Sequence, residues 1–417
     1  MTYTEALAYI SGLETRGWRL GLDRMAAFVR SAGLESAIGG PNRKFVHIAG
    51  TNGKGSTTAF AEAMLRAAGY RTGAFFSPFV VDIRERVQFG GELISREDLA
   101  AVTAELQPIA EAFTETEFGG ISEFEFKTAV GFQYWEKMQA EWVALEVGLG
   151  GRLDSTNVVQ PAATIIVSIG LDHTHILGDT IEKIAAEKAG IIKPGIPVIV
   201  GVMSPSARDV ILEIARERGA PAFCFGEEIR LNDGALECPW GTVAGLRPSL
   251  PGVHQPHNAA LAAAALMSAG VNDLRAIRAG AETAWLPGRF HRVEFEGRTI
   301  ILDGAHNPDA ASALAETLRR EFSPETRFHL ITNMLTGHDV PAFYQPLTEQ
   351  IENATVVPID FFRARSPEDV AQELVQLGIA AQAQTDILAA ILATRKELPV
   401  LVTGSNYLVG AVLLALG

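Results

Sequence analysis

Short runs that are apolar throughout alternate with helical segments along this chain, and that alternation limits its possible folds more than any other feature. "FVHIAG", "WVALEV", "ATIIVSIG" and "PVIVG" are rich in β-branched residues. A strand with one wet face alternates apolar and polar residues, whereas a run that is apolar throughout is buried on both faces. Between these runs lie helical patterns at Ser56–Ala68, Arg96–Phe113, Phe124–Met138, Ile181–Ala189 and Ser206–Arg218. Such an order predicts a parallel sheet with helices on both sides, an α/β fold. Around Leu231–Gly252 turn residues and short alternating pieces predict a small antiparallel excursion. Alanine-rich helices are expected at His257–Ala269 and Leu274–Ala284.

The stretch "WLPGRFHRVEFEGR" gathers proline, glycine and charge and reads as a linker. After it a second α/β series begins, with strands at "TIILDG", "RFHLIT", "TVVPI" and "PVLVTG". A length of 417 residues calls for more than one domain. The expected division is 1–287 and a smaller Rossmann-like domain at 288–417.

Charge and composition exclude several classes. A net charge of -14 argues against a broad nucleic-acid surface and leaves room for a local basic pocket. Cys224 and Cys238 are the two cysteines, too few for a disulfide framework and without metal-site spacing. The N-terminus does not read as a signal peptide, and "AALAAAALMSAGV" is too short for a bilayer of about 30 Å. The expectation is a cytoplasmic monomer acting on small molecules, with no nucleic-acid or membrane partner.

The chemistry starts at "GTNGKGSTT". It departs from the pattern G-x-x-x-x-G-K-[ST], because residue 48 is Ile48 and Gly55 follows Lys54. Even so, Gly50, Gly53 and Gly55 let backbone amides approach a phosphate, and the following helix points its N-terminus there. Lys54 adds a mobile cation. Glu146 ends the buried run "WVALEV", at the strand end where ligands of open α/β sheets sit, and Gly148, Gly150 and Gly151 follow it. A carboxylate so placed needs a cation or hydrogen-bond donors. Asp172, His173 and His175 follow "ATIIVSIG", and one of them could bind metal or simply cap and pack. Ser77 is a turn hydroxyl or a ligand hydroxyl; Arg84 and Arg86 form a solvated face or an anion clamp. Together these point to an ATP–Mg²⁺ enzyme and leave the acceptor open.

The full motif set resembles the folylpolyglutamate synthases and bifunctional dihydrofolate synthase/folylpolyglutamate synthases of the Mur ligase superfamily. "GTNGKGS", "SPF…RER", "LEVGLGGRLDSTN", "LDHT…LG", "EKAGIIKPG", "LPGRF", "LDGAHNP" and "TGSNYLVG" follow in family order across almost the whole chain. "LEVGLGGRLDSTN" with "EKAGIIKPG" is more specific than the loop, which other Mur ligases share. The resemblance implies a P-loop ATPase-type domain binding ATP and a pteroate or folate, and a C-terminal domain binding glutamate. It implies ATP-dependent ligation of L-glutamate to a folate through an acyl phosphate, and leaves open whether dihydropteroate is an acceptor as well. A Mur-type ligase for another carboxylate, such as a peptidoglycan precursor, and a non-catalytic ATP-binding regulator are the alternatives; "EFEF" with "LGLDR" favours a pteridine acceptor.

By motif, Gly53, Lys54, Gly55 and Ser56 are implied to hold the ATP phosphates, with Asn258, Arg289 and Asp303 as further nucleotide contacts. Ser77, Glu146 and His173 are implied Mg²⁺ ligands. Lys188 matches a lysine that is carbamylated in the family and, with Lys54 and His173, is assigned to catalysis. The acceptor side is implied to use Leu22, Asp23, Arg24, Ser122, Glu123, Phe124, Glu125, Leu153, Asp154 and Ser155. His306 and Ser405 are implied glutamate contacts. One stretch departs from the family: "NMLTGHDVPAF" carries Gly337 and His338 where an acid and a lysine are common.

Overall fold

The computed structural model describes residues 1–17 and 21–417. The chain forms two compact units. The first comprises Met1–Pro78, Arg84–Ser249 and Pro256–Trp285, and the second comprises Phe79–Ile83, Leu250–Gln255 and Leu286–Gly417. Two short stretches from earlier in the chain therefore belong to the second unit, one of them lying inside the motif "SPF…RER".

The first unit is built on an eight-stranded sheet. Its strands are β1 (Lys44–Ala49), β2 (Thr72–Phe75), β3 (Val87–Phe89), β4 (Glu92–Leu93), β5 (Trp142–Glu146), β6 (Ala163–Ile166), β7 (Val198–Val200) and β8 (Ala222–Cys224), in the order β4-β3-β2-β5-β1-β6-β7-β8. The strands β2, β5, β1, β6, β7 and β8 run parallel, as the apolar runs predict. β3 and β4 form an antiparallel edge hairpin turned by Gly90 and Gly91, at φ 61 and 83. Two consecutive positive φ angles suit a tight hairpin turn and strongly favour glycine.

Helices close both faces. The segment Lys54–Ala67 is a helix crossed by the helix Leu274–Thr283 at Gly280, where a Cβ would lie 2.3 Å from Met64 Cα. The helix Gln255–Ser268 is buried from Ala259 to Met267, so its alanines serve close packing rather than a wet face. The expected antiparallel excursion is a three-stranded sheet of β9 (Arg230–Asn232), β10 (Ala235–Cys238) and β11 (Gly241–Val243).

The second unit holds a six-stranded sheet of β12 (His291–Phe295), β13 (Arg298–Leu302), β14 (Phe328–Thr332), β15 (Ile351–Val356), β16 (Ala380–Ala383) and β17 (Val400–Thr403), in the order β12-β13-β17-β14-β15-β16. All neighbours are parallel except β12 with β13. Ile301, Leu330 and Leu401 enter one apolar cluster, while Ile300, Leu302, Ile331, Val400 and Val402 enter another on the opposite face. The expected linker thus needs correction: "HRVEF" within it is the edge strand β12. One face of this strand is half-buried and the other is exposed, so its charges alternate outward and imitate a loop. Among the described residues no helix is long and apolar enough to cross a membrane.

Candidate active site

Of the segments that leave the first sheet at its carboxyl edge, four carry the candidate residues. β1 runs into Gly50, β2 into Ser77, β5 ends at Glu146 and β6 leads to Ser168–His173. The chain goes from β1 towards β2 on one side and from β6 towards β7 on the other. The winding direction therefore reverses between β1 and β6, which is where an open α/β sheet leaves a crevice.

The glycine-rich loop is held from both ends. Gly53 has φ 82, and a Cβ on it would lie 2.8 Å from both Asn258 Oδ1 and Val167 Cγ1. Backbone conformation and space both require glycine there. The helix starting at Lys54 has no side-chain cap from Gly53, and the amides opening a helix are donors suited to an anion. Thr51 N donates to Ser168 O at 2.8 Å, and Asn52 N donates to Ser168 Oγ at 3.0 Å. Thr51 Oγ1 donates to Gly170 O at 3.1 Å and accepts from Gly170 N at 3.0 Å. These bonds lock the loop to the segment after β6.

Two amines meet at one carbonyl. Lys54 Nζ donates to Gly50 O at 3.0 Å and to Thr51 O at 3.1 Å. Lys188 Nζ donates to the same Gly50 O at 3.0 Å. Lys188 is buried on the helix Ile181–Ala189, and burial, then the charge of Lys54, push its pKa down to about 7; Asp172 and Asp154 act the other way. The end of this helix packs closely on the segment after β5: a Cβ on Gly190 would lie 2.3 Å from Arg152 Cβ. Arg152 also pairs with Glu187 at 2.7 Å.

Glu146 is 3% exposed, and its Oε2 accepts from Ser77 N at 3.0 Å. Ser77 and Glu146 are thus brought together through the Ser77 backbone, and hydroxyl and carboxylate oxygens are the donors that a hard divalent cation prefers. His173 stands after β6 at φ 50; its N donates to Asp172 Oδ1 at 2.8 Å, and its Nε2 lies 3.9 Å from the same oxygen.

The acceptor-side residues fall into two groups. In the first, Arg24 Nε donates to both oxygens of Glu125, at 2.9 and 2.8 Å. Glu125 also accepts from Ser122 N at 2.9 Å and from Ser122 Oγ at 2.7 Å, capping the helix Glu123–Lys137. Glu123 pairs with Lys127, while Leu22 and Asp23 open the helix Asp23–Ser31. In the second group, Leu153, Asp154 and Ser155 lie in the loop after β5, with Asp154 and Ser155 buried. Phe124 joins the groups. Its half-buried ring lies 6.0 Å from Phe75 and under Arg86 at 5.6 Å, and a Cβ on Gly148 would come within 2.3 Å of its Cζ. Arg86 therefore packs on a ring rather than on a solvated face.

In the second unit, residues at the ends of β13 and β17 converge. Asp303 Oδ2 accepts from Phe290 N and its Oδ1 from Ala305 N, both at 2.9 Å. Arg289 Nη1 donates to Asn406 Oδ1 at 3.1 Å. A Cβ on Gly304 would lie 1.8 Å from that oxygen. Ser405 caps the helix Asn406–Leu416 by accepting from Tyr407 N at 3.1 Å. His306 Nδ1 lies 2.8 Å from Gly304 O, and its ring meets that of His338 edge to face at 5.6 Å. The departing segment thus brings an imidazole to this cluster.

Sequence reasoning missed His47, Thr156 and Asn406. His47 had a signal, since it is the one polar side chain inside "FVHIA".

Residues 288–406 match the family described as "Mur ligase, glutamate ligase domain". The chain is 39% identical over 392 residues to the dihydrofolate synthase/folylpolyglutamate synthase of Bacillus subtilis (strain 168), covering 88% of each protein. It resembles the structure of E. coli FolC in complex with DHPP and ADP, with TM-score 0.87, 33% identity, and coverage of 99% of this chain and 97% of that one. A bifunctional folylpolyglutamate synthase/dihydrofolate synthase with Mn, AMPPNP and L-glutamate bound gives TM-score 0.86 and 32% identity, covering 100% and 98%.

Proposed function

This chain belongs to the dihydrofolate synthase/folylpolyglutamate synthase family, and from that premise we propose that it ligates L-glutamate to a folate, and also to dihydropteroate, with ATP. The observation that carries the reading is the junction at Gly50. There the phosphate loop, Lys54 and Lys188 meet beside strand β5, whose Glu146 is paired in register with Ile48 and holds Ser77.

A carboxylate is a poor electrophile, and pushing it onto a phosphate brings anions together. The amides opening the helix at Lys54, with the side chains of Lys54 and Ser56, hold and neutralise the ATP phosphates. Asn258, packed beside Gly53, borders the nucleotide. Ser77, Glu146 and His173 are fit to hold a divalent cation, which when bound offsets phosphate charge. The acceptor carboxylate attacks the γ-phosphorus, ADP leaves, and an acyl phosphate results. The amine of L-glutamate then attacks its carbonyl carbon, and phosphate leaves.

Lys188 is suited to carbamylation because CO₂ adds to a neutral amine. Its lowered pKa supplies that form near neutrality. A carbamate would turn a buried cation beside the loop into an anion, which would favour a divalent cation bound nearby.

On the acceptor side, Phe124 offers a ring face to a pterin or benzoyl group. Asp154, Leu153 and Ser155 line the same loop, and Leu22, Asp23, Arg24, Ser122, Glu123 and Glu125 shape its surroundings. In the second unit, Asp303 fixes the turns that carry Arg289 and His306. Arg289 and Asp303 serve the nucleotide in this reading, and His306 and Ser405 the incoming glutamate. The protein works as a cytoplasmic monomer, and its charge of -14 suits small-molecule substrates better than nucleic acid.

Phosphate release is measured with ATP, Mg²⁺, L-glutamate and either dihydropteroate or a reduced folate monoglutamate. Glutamate-dependent turnover is expected, and its absence with both acceptors overturns the reading. The ratio of the two rates sets the acceptor preference.

A further inference from the structure

His47 lies on β1, three residues before Gly50, and is 0% exposed. Its Nε2 is 2.9 Å from Thr156 Oγ1. Thr156 Oγ1 donates to Asp154 Oδ1, which also accepts from Thr156 N at 2.9 Å. Asp154 Oδ2 accepts from Leu149 N at 2.9 Å. A hydroxyl carries one hydrogen. Thr156 gives its hydrogen to the carboxylate, so it accepts from His47, which fixes the Nε2–H tautomer. His47 Nδ1 is buried without a protein hydrogen-bond partner, so one bond sets the orientation of the ring. Burial holds its pKa down to about 3, with Lys193 adding to the effect, so the ring is neutral.

We propose that His47 is a positioning residue for the acceptor: through Thr156 it holds the Asp154 carboxylate and the loop after β5 in fixed relation to the phosphate loop that continues from its own strand. The proposal rests on the ligase reading above. It follows from what phosphoryl transfer needs, which is an acceptor oxygen and a phosphorus at near-contact distance, where an error of about 1 Å costs ~10²-fold in rate. By backbone alone, Asp154 is more than a hundred residues from Gly50. The relay joins the two loops through three side chains.

The test uses the variants His47→Leu, Thr156→Val and His47→Gln. Thr156→Val keeps the shape and deletes the relay hydroxyl. His47→Gln places an amide N–H near the position of Nε2. Acceptor kcat/KM is measured at saturating ATP, ATP affinity by direct binding, and stability by thermal unfolding. We expect His47→Leu and Thr156→Val to lower acceptor kcat/KM by ~10-fold or more, with ATP affinity held within about 3-fold and activity largely restored in His47→Gln. Acceptor and ATP parameters falling together, or His47→Gln behaving like His47→Leu, overturns the proposal. Amide exchange separates this from failure of the ligase reading. If wild type shows no turnover, faster exchange in residues 148–157 than in 50–56 of His47→Leu still supports the relay, and equal exchange overturns it.

Discussion

Lys188 Nζ bonds the carbonyl oxygen of Gly50 at 3.0 Å, across 138 residues of sequence. The same oxygen accepts from Lys54. Two ammonium groups cannot share this buried place at low cost, and the more buried one yields its proton more readily. Lys188→Ala is therefore expected to lose ligase activity by at least about 10²-fold, the size of a lost charge-stabilising group. If the working form is a carbamate, millimolar formate or acetate should restore part of it. Turnover assayed with and without the acid checks this, and ¹³C-bicarbonate labelling of wild type checks the adduct directly.

The pKa of Lys188 also gives a pH dependence. Its folded value is about 7, below the unfolded value near 10.5. Between these values the unfolded chain binds more protons, so stability from this group rises with pH and falls as pH drops towards 7. In CO₂-free buffer, Lys188→Met should flatten the rise in thermal midpoint between pH 7 and pH 9. An unchanged slope contradicts the assignment.

Lys54 bonds only carbonyls of its own loop among the contacts described above, and phosphate oxygens compete for the same amine. Lys54→Ala should reduce turnover by ~10²-fold or more and leave the fold intact by circular dichroism. It should also let the pKa of Lys188 rise, because the charge of Lys54 helps to hold it down. Full activity in this variant would remove the loop from the mechanism.

Arg24 and Glu125 form a buried pair, their side chains 11% and 2% exposed. Arg24→Ala leaves the carboxylate buried without its cation, at an expected cost of ~3–5 kcal/mol. Arg24→Met with Glu125→Met should recover much of that loss. Urea unfolding of the single and double variants measures the coupling. A pair contributing only to acceptor binding would leave stability unchanged.

Gly148→Ala places a methyl where the Phe124 ring now packs. Overpacking of this kind costs ~1–3 kcal/mol, and the half-buried ring can turn outward to relieve it. Acceptor KM should rise more than ATP KM, and kinetics with each substrate varied in turn decides the point.

The sequence by itself determined the class of fold and most of the chemistry at the edge of the first sheet. Short, largely apolar runs rich in β-branched residues, such as "WVALEV", read as strands buried on both faces, and helical patterns between them point to a parallel sheet. The predicted helix Ile181–Ala189 appears with those bounds, and the other helices named for the first sheet agree within two residues at each end. The placing of Glu146 at a strand end followed from the same reasoning. Local pattern reports how far each residue is buried and at what period, and it carries no information on which distant residue will be the partner. Strand order supplies that. Because β1 lies between β5 and β6, Lys188 reaches Gly50 and His47 reaches Thr156. Arg24 meets Glu125 across 101 residues for the same kind of reason. The edge strand β12 was hidden because half of its surface faces water. The short segments Phe79–Ile83 and Leu250–Gln255 were hidden because a unit is defined by packing between segments far apart in the chain.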